Sequence, residues 1–488
     1  MEIPVLEPVP GGIEPDPRRW LALAVVLGAT FLGVLDFFIV NVSIPSIRQD
    51  LHATLSQIQL MIAGYGLTYA VCLITGGRLG DIYGRKRVFM LGVAGFTLAS
   101  ALCGLAPGAN TLIAARLLQG VTGALMFPQV LSIIQVTFPP SERNAAFGIL
   151  GMVLGAGSFM ANVLGGFLIE GNLLGLGWRP IFLVNLPLGA LALLAAPSIL
   201  RESRSATALK LDLGGIPLAS LALLLLVYPL AEGREAGWPP WAFICLAASV
   251  PALAVFILYE RRVSASGGSP LVELSLFGDR VFVAGLATSL AFYSGLSAFF
   301  MTITFFLQDG LKLSPKTAGY TLVPFGIGFL MASSLAVKLA RRLGSLTINV
   351  GAGMMIIALA GIVAIARWHG AALSNWELVP LLLLYGTGQG FVMPTLITTV
   401  LSGIPRDAAG SASGVLTTTQ QVALALGVAL IGTIFFALLG GEPQPQEFAQ
   451  AISTSLLVNI GLLAATFALA FLLPRTLKEG VHGKHIDV

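Results

Sequence analysis

GGRLGDIYGRKR, residues 76–87, separates two long apolar runs and decides how the rest of the chain is read. Arg78, Asp81, Arg85, Lys86 and Arg87 carry charge that hydrocarbon does not accept, so the segment is a short loop at a membrane face. A basic connector obeying the positive-inside rule would require only the arginines and the lysine. An aspartate enclosed by Gly76, Gly77, Gly80 and Gly84 asks for more: a backbone that turns tightly and approaches a neighbour closely.

Composition supports the membrane reading. The 488 residues are 56% hydrophobic and 10% charged, with a mean hydropathy of +0.89, outside the range of soluble domains. The expected fold class is an all-α integral membrane protein. Cys72, Cys103 and Cys245 all lie in apolar runs, which points to small buried hydrophobes and not to a disulfide framework. The four histidines fall in loops or in the tail, and no metal or cofactor is expected. The pattern G-x-x-x-x-G-K-[ST] is missing, which excludes a P-loop ATPase.

Fourteen apolar runs are long enough to cross about 30 Å of hydrocarbon: 20–44, 57–76, 88–106, 110–133, 144–169, 180–199, 212–231, 239–259, 281–307, 315–338, 346–366, 378–402, 412–439 and 451–473. With both termini cytoplasmic, 20 of the 27 Lys and Arg fall on the inner side and six on the outer, leaving Arg116 inside a span. An odd number of spans would destroy that asymmetry. The net charge of +4 is thus distributed by membrane side, and no nucleic-acid partner is implied. Residues 1–19 hold five prolines and no apolar run, and are expected to be a disordered cytoplasmic arm and not a cleavable signal.

The opening segment matches, at every fixed position from Gly77 to Arg87, the loop between the second and third spans of major facilitator superfamily transporters, G-x-L-[AG]-D-x-x-G-R-[RK]-[RK]. A weaker echo, VKLARRLGSLT at 337–347, follows the tenth run without the aspartate, as expected of parallel half-repeats. The resemblance implies a six-helix bundle at 20–199, a second at 281–473 and a cytoplasmic tail at 474–488. Residues 200–280 then form a linker carrying an inserted transmembrane hairpin, expected to stand outside the twelve-span core. Fourteen spans resemble the drug:proton antiporter branch, and so imply proton-coupled export of lipophilic or cationic small molecules from the bacterial cytoplasm by a monomer in the inner membrane. In that reading Gly77, Asp81, Gly84, Arg85, Lys86 and Arg87 brace the cytoplasmic gate.

Asp36 lies inside the first run, where a carboxylate costs about 2.5–3.5 kcal/mol on insertion scales and should face a cavity or a partner. Leu35, Asp36, Val40, Asn41, Val42 and Pro45 resemble the first-span motif of the branch. Arg116 and Gln119 sit in RLLQG, similar to the superfamily's fourth-span motif. Arg116 is about six residues, roughly 9 Å, and Asp36 about eight residues, roughly 12 Å, from the outer face. A coupled Asp36–Arg116–Gln119 network is therefore expected to carry the proton, with snorkelling of Arg116 to the interface as the alternative.

The expected substrate cavity takes Asn41, Asn162, Tyr293, Ser297, Phe300, Tyr385, Gln389 and Met393, aromatic and thioether side chains beside a few amides. The fifth run lacks the antiporter branch's Gly-Pro pair and reads Ala161, Asn162, Val163, Leu164, Gly165, Gly166 instead. That departure favours two alternatives, a symporter or an exporter of one native metabolite. A receptor or channel would need neither Asp36 nor Arg116. WRPIFLVNLPLG, 178–189, resembles the branch's sixth-span start and is expected to add no chemistry.

Overall fold

The computed structural model describes residues 16–171, 175–204, 212–233, 236–370, 373–405, 408–439 and 445–474. Sixteen α-helices account for nearly all of them. The first seven are α1 (Arg19–Asp50), α2 (Leu55–Tyr83), α3 (Arg85–Gly104), α4 (Ala109–Thr137), α5 (Pro140–Glu170), α6 (Pro180–Leu183) and α7 (Asn185–Ile199). Next come α8 (Gly215–Glu232) and α9 (Pro240–Ala265). The remainder are α10 (Arg280–Phe305), α11 (Pro315–Thr321), α12 (Val323–Leu343), α13 (Leu346–His369), α14 (Asn375–Leu401), α15 (Ala409–Ala437) and α16 (Pro445–Leu469).

Local chemistry sets the boundaries. Thr54 and Gln57 form a reciprocal capping box that starts α2, and Ser374 with Glu377 does the same for α14. Between α2 and α3 the chain reverses in one residue, because Gly84 has φ +108°, a region that side chains avoid. Gly344, between α12 and α13, also has positive φ, at +56°. The weak repeat in sequence thus corresponds to two equivalent turns.

Among the described residues, twelve stretches are long and apolar enough to cross a membrane by length and composition. Fourteen were expected, and twelve are found among the described residues. The two expected runs not among them are those of α5 and α8. Some α5 side chains, Asn162 among them, lie outside the description, and in α8 only Gly215–Leu230 is apolar. Of the twelve, the fifth stretch combines α6 and α7, and the eighth runs from α11 into α12.

In the first bundle α1 packs on α5 and α7, while α3 and α2 flank α4. In the second, α12 and α13 flank α14, and α16 packs on α10 and α13. The halves meet where α2 and α4 touch α15 and where α5 touches α12 and α14. Glycines permit that last contact: a Cβ at Gly151 would press on Pro394, and one at Gly155 would strike the Phe329 ring. Large apolar residues such as Leu91, Leu194, Ile244 and Val250 point outward, as a lipid-facing surface requires. The inserted pair does not stand clear of the core. α9 is mostly exposed, but α8 lies against both α2 and α15, across the seam between the halves.

Candidate functional site

Four helices converge on one carboxylate. Asp36, fully buried in α1, accepts from Arg116 of α4 through Oδ2, and from Gln119 Nε2 (3.0 Å) and Asn185 Nδ2 (2.8 Å) through Oδ1. Arg116 Nη1 also donates to Gln119 Oε1 at 2.8 Å, and its guanidinium carbon lies 4.2 Å from the centre of the Tyr65 ring. Ser100 of α3 accepts from Gln119 Nε2 at 2.8 Å and from Asn185 Nδ2 at 3.2 Å. Arg116 is 1% exposed, so it does not snorkel. Further hydrogen bonds to both ions, and the Tyr65 ring against the guanidinium, offset the cost of burying this pair, although Arg116 Nε has no partner. The expected trio is brought together.

Asn185, Ser100, Cys103 and Tyr65 complete the network and were missed in the sequence. Asn185 belongs to WRPIFLVNLPLG, which was expected to contribute no chemistry; that reading is corrected, since its amide donates to Asp36. A signal was available: an amide within an apolar run requires a partner. Ser100 and Cys103 gave no such signal, being common in apolar helices.

The second constellation is the 76–87 segment, expected as a loop but folded as the last turns of α2, a one-residue turn at Gly84 and the start of α3. Gly77 abuts the second half directly: a Cβ there would lie 2.6 Å from the Gly410 carbonyl oxygen. Asp81, whose side chain is fully buried, donates nothing and accepts from Arg85 Nη2 at 2.8 Å, while its Oδ2 packs against Gly410 in the first turn of α15. The carboxylate therefore faces the positive end of a helix from the opposite half. Gly84, Arg85, Lys86 and Arg87 instead tie the loop to their own half. The Lys86 and Arg87 backbone N–H groups donate to Glu202 (3.1 and 3.3 Å), Arg85 N donates to the Ser203 carbonyl (2.8 Å), and Lys86 Nζ donates to the Pro197 carbonyl (2.7 Å). Deeper in the same seam, Gln135 of α4 donates to the carbonyls of Leu401 and Ile404, each at 3.3 Å. At this end of the molecule the two halves are shut against each other.

Between these constellations lies an aromatic cluster. Phe300 of α10 faces Phe38 of α1 (6.4 Å between ring centres) and Phe325 (5.1 Å), and Tyr385 stacks on Phe299 at 4.1 Å. The hydroxyls of Tyr293 and Tyr385 and the amide oxygen of Gln389 are buried without partners, and Met393 is buried on the same helix as Gln389. Ser297 differs: its hydroxyl donates to the Leu424 carbonyl at 2.8 Å and is spent on the α10–α15 contact. The side chains of Asn41 and Asn162 lie outside the description.

At the end of the bundle opposite the Gly84 turn, Asp50 accepts from Trp178 Nε1 (3.0 Å) and Arg179 Nη1 (2.8 Å), tying the end of α1 to the start of α6. The Trp178 bond, then that of Arg179, holds this carboxyl below the ordinary carboxylate range.

Two helical bundles meeting at a seam, with a buried ion pair in one and the halves shut together at one end, have the architecture of a membrane transporter. Residues 26–428 match the model of the Major Facilitator Superfamily, and the chain belongs to that family; it is a transporter and not an enzyme. It is 42% identical over 434 residues (88% of this chain, 75% of the relative) to the "Probable actinorhodin transporter" of Streptomyces coelicolor. It is also 38% identical to a puromycin resistance protein of Streptomyces alboniger (86% and 82% covered) and 31% identical to the multidrug resistance protein Stp of Mycobacterium tuberculosis (85% and 75%). The fold is shared with the human organic anion transporter MFSD10 (18% identity, TM-score 0.62, 92% of this chain and 100% of that one). It is shared too with the proton:xylose symporter XylE (13%, 0.64, 91% and 95%).

Proposed function

We propose that this protein is a proton-coupled exporter of lipophilic or cationic small molecules, antibiotics among them, working by alternating access. The single observation that carries the reading is Asp36, fully buried and held by Arg116, Gln119 and Asn185. A proton on Asp36 removes the charge that fixes Arg116, which keeps Gln119 and the Tyr65 ring as partners. Gln119 and Asn185 are then released to re-pair, so proton uptake rearranges four helices of the first bundle at once. The substrate binds among Phe300, Tyr293, Tyr385, Gln389 and Met393, where buried polar atoms without partners await a ligand. Asp81 and Gly77 hold the cytoplasmic side shut against α15 while the substrate leaves.

In the same reading α5 and α8 both cross the bilayer, making fourteen spans with both termini cytoplasmic in the bacterial inner membrane. The bundles are 20–199 and 281–473, and the working unit is a monomer. Relatives whose names carry single antibiotics support a narrower form, export of one native metabolite, which the altered 161–166 segment also favours.

Proteoliposomes test the reading. Asp36→Asn, whose amide mimics a permanently protonated acid, should abolish transport driven by a proton gradient and retain substrate-gradient exchange. Full proton-driven transport by this variant would refute it. Competition by structurally unrelated cations would separate the multidrug from the single-metabolite form.

A further inference from the structure

The inserted pair α8–α9 carries carboxylates at its cytoplasmic base that the coupling site does not use. Asp212 precedes α8 and is 7% exposed; Glu260 lies near the end of α9 and is fully buried. Each has one satisfied oxygen. Asp212 Oδ1 accepts from the N–H groups of Gly214 (3.1 Å) and Gly215 (2.7 Å) and from the Tyr259 hydroxyl (3.0 Å), and Glu260 Oε2 accepts from Val272 N (3.0 Å). Each also has one buried oxygen with no partner, Asp212 Oδ2 and Glu260 Oε1. Both of these oxygens press on Gly215, where no side chain would fit, and they stand in hydrogen-bonding position to each other. Two carboxylates so placed make a hydrogen bond only when one of them carries a proton.

Opposite them, on α2, is Arg78, the residue in the unspecified slot of the loop motif. It is 1% exposed, and its Nε and Nη1 lack partners. The charges acting on it are, in order, Asp81, Glu273, Glu260 and Asp212. Glu273 lies on the segment leading from α9 to α10, and its N–H donates to Ser411 Oγ of α15 at 3.3 Å. α8 meanwhile spans the α2–α15 seam, and its outer end is fastened to α15 by Trp238 Nε1 donating to Thr433 Oγ1 at 3.1 Å. The inserted pair is therefore a strap from the second half, lying across the gate with its acidic base over an arginine of the first.

We propose that Asp212 and Glu260 form a second proton-binding site, separate from Asp36, which latches the cytoplasmic gate through Arg78. With both carboxylates ionised, the backbone and Tyr259 donors hold one oxygen of each, the guanidinium offsets the repulsion between them, and α2 is drawn against the strap. One proton, shared between Asp212 Oδ2 and Glu260 Oε1, supplies the missing hydrogen bond and removes one of the charges holding Arg78, so the gate opens more readily. Among the described residues, the groups acting on the pair are Tyr259 from α9 and Arg78 from α2, and Arg78 also feels Asp81 and Glu273. The inference rests on the alternating-access reading but not on Asp36 being the coupling acid.

The test measures gate distance by double electron–electron resonance between spin labels at Tyr83→Cys and Ser402→Cys, two exposed cytoplasmic positions, in full-length protein from pH 8 to pH 5.5. The cytoplasm-open population should rise as pH falls. Glu260→Gln should be open at least about tenfold more at pH 8, because one of the charges holding Arg78 is gone, and its response to pH should be flat. Asp212→Asn should behave alike, Glu260→Asp should keep the pH response, and Arg78→Gln should match Glu260→Gln. In an Asp36→Asn background the pH response of the gate should persist. An unchanged pH response in both Glu260→Gln and Asp212→Asn overturns the latch. If Asp36→Asn alone abolishes the response, the latch is overturned while the coupling reading stands.

Discussion

The ion pair at the centre of the first bundle can be weighed by a double-mutant cycle on Asp36 and Arg116. Both are buried, at 0% and 1% exposure, so each single substitution strands the other's charge. Asp36→Asn leaves Arg116 with the Gln119 oxygen and the Tyr65 ring, a desolvated cation–π contact worth about 2 kcal/mol. The net loss should still approach the about 3–5 kcal/mol typical of breaking a buried pair. Arg116→Gln leaves Asp36 with donors from Gln119 and Asn185, each worth about 1.5–3 kcal/mol to a charged acceptor, so its loss should be smaller, about 2 kcal/mol. The double variant buries no charge and should lose less than the two singles together, with a coupling of about 3 kcal/mol. Denaturant titration of the four proteins in one detergent, followed by tryptophan fluorescence, gives the cycle. Additivity within about 0.5 kcal/mol would show that the pair is not coupled and would remove the charge-release step from the mechanism.

Gly77→Ala places a methyl 2.6 Å from the Gly410 carbonyl, and overpacking of this kind costs about 1–3 kcal/mol; the variant should favour the cytoplasm-open form, read as increased alkylation of a cysteine in the α2–α15 seam, and unchanged labelling would show that the gate does not close there. At the end opposite the Gly84 turn the Asp50 carboxyl has a lowered folded-state pKa, so its stabilisation is complete above the ordinary carboxylate pKa and disappears as pH falls through the folded value. Hydrogen exchange at 176–182 should therefore accelerate below about pH 4 by an amount matching 0.2–1 kcal/mol for these partly exposed groups, and the acid response should vanish in Asp50→Asn; persistence of the response would assign it to another group.

Much of this protein is legible in one dimension, for a physical reason. Lipid penalises every unpaired backbone group and every charge, so the all-helical membrane class and the intramembrane Asp36 and Arg116 follow closely from the order of apolar runs and the charges within them. The GGRLGDIYGRKR loop is equally local: its turn at Gly84 and its buried Asp81 are written in consecutive residues. What the sequence left open is which side chain meets which across helices. Asn185 of α7 reaches Asp36 from 149 positions away, and Glu202 caps α3 from the linker after α7. The inserted α8–α9 pair, which in sequence carries few charges and looks detached, lies over the gate because α8 fits the seam between α2 and α15. Arg78, a free slot in the motif, has Asp81 beside it on the same helix but acquires Glu260 and Asp212 only through that packing. Apolar periodicity says that a helix spans the bilayer, but every helix of this composition offers several equivalent apolar faces. Only close packing of small residues at the seams selects the one that is used.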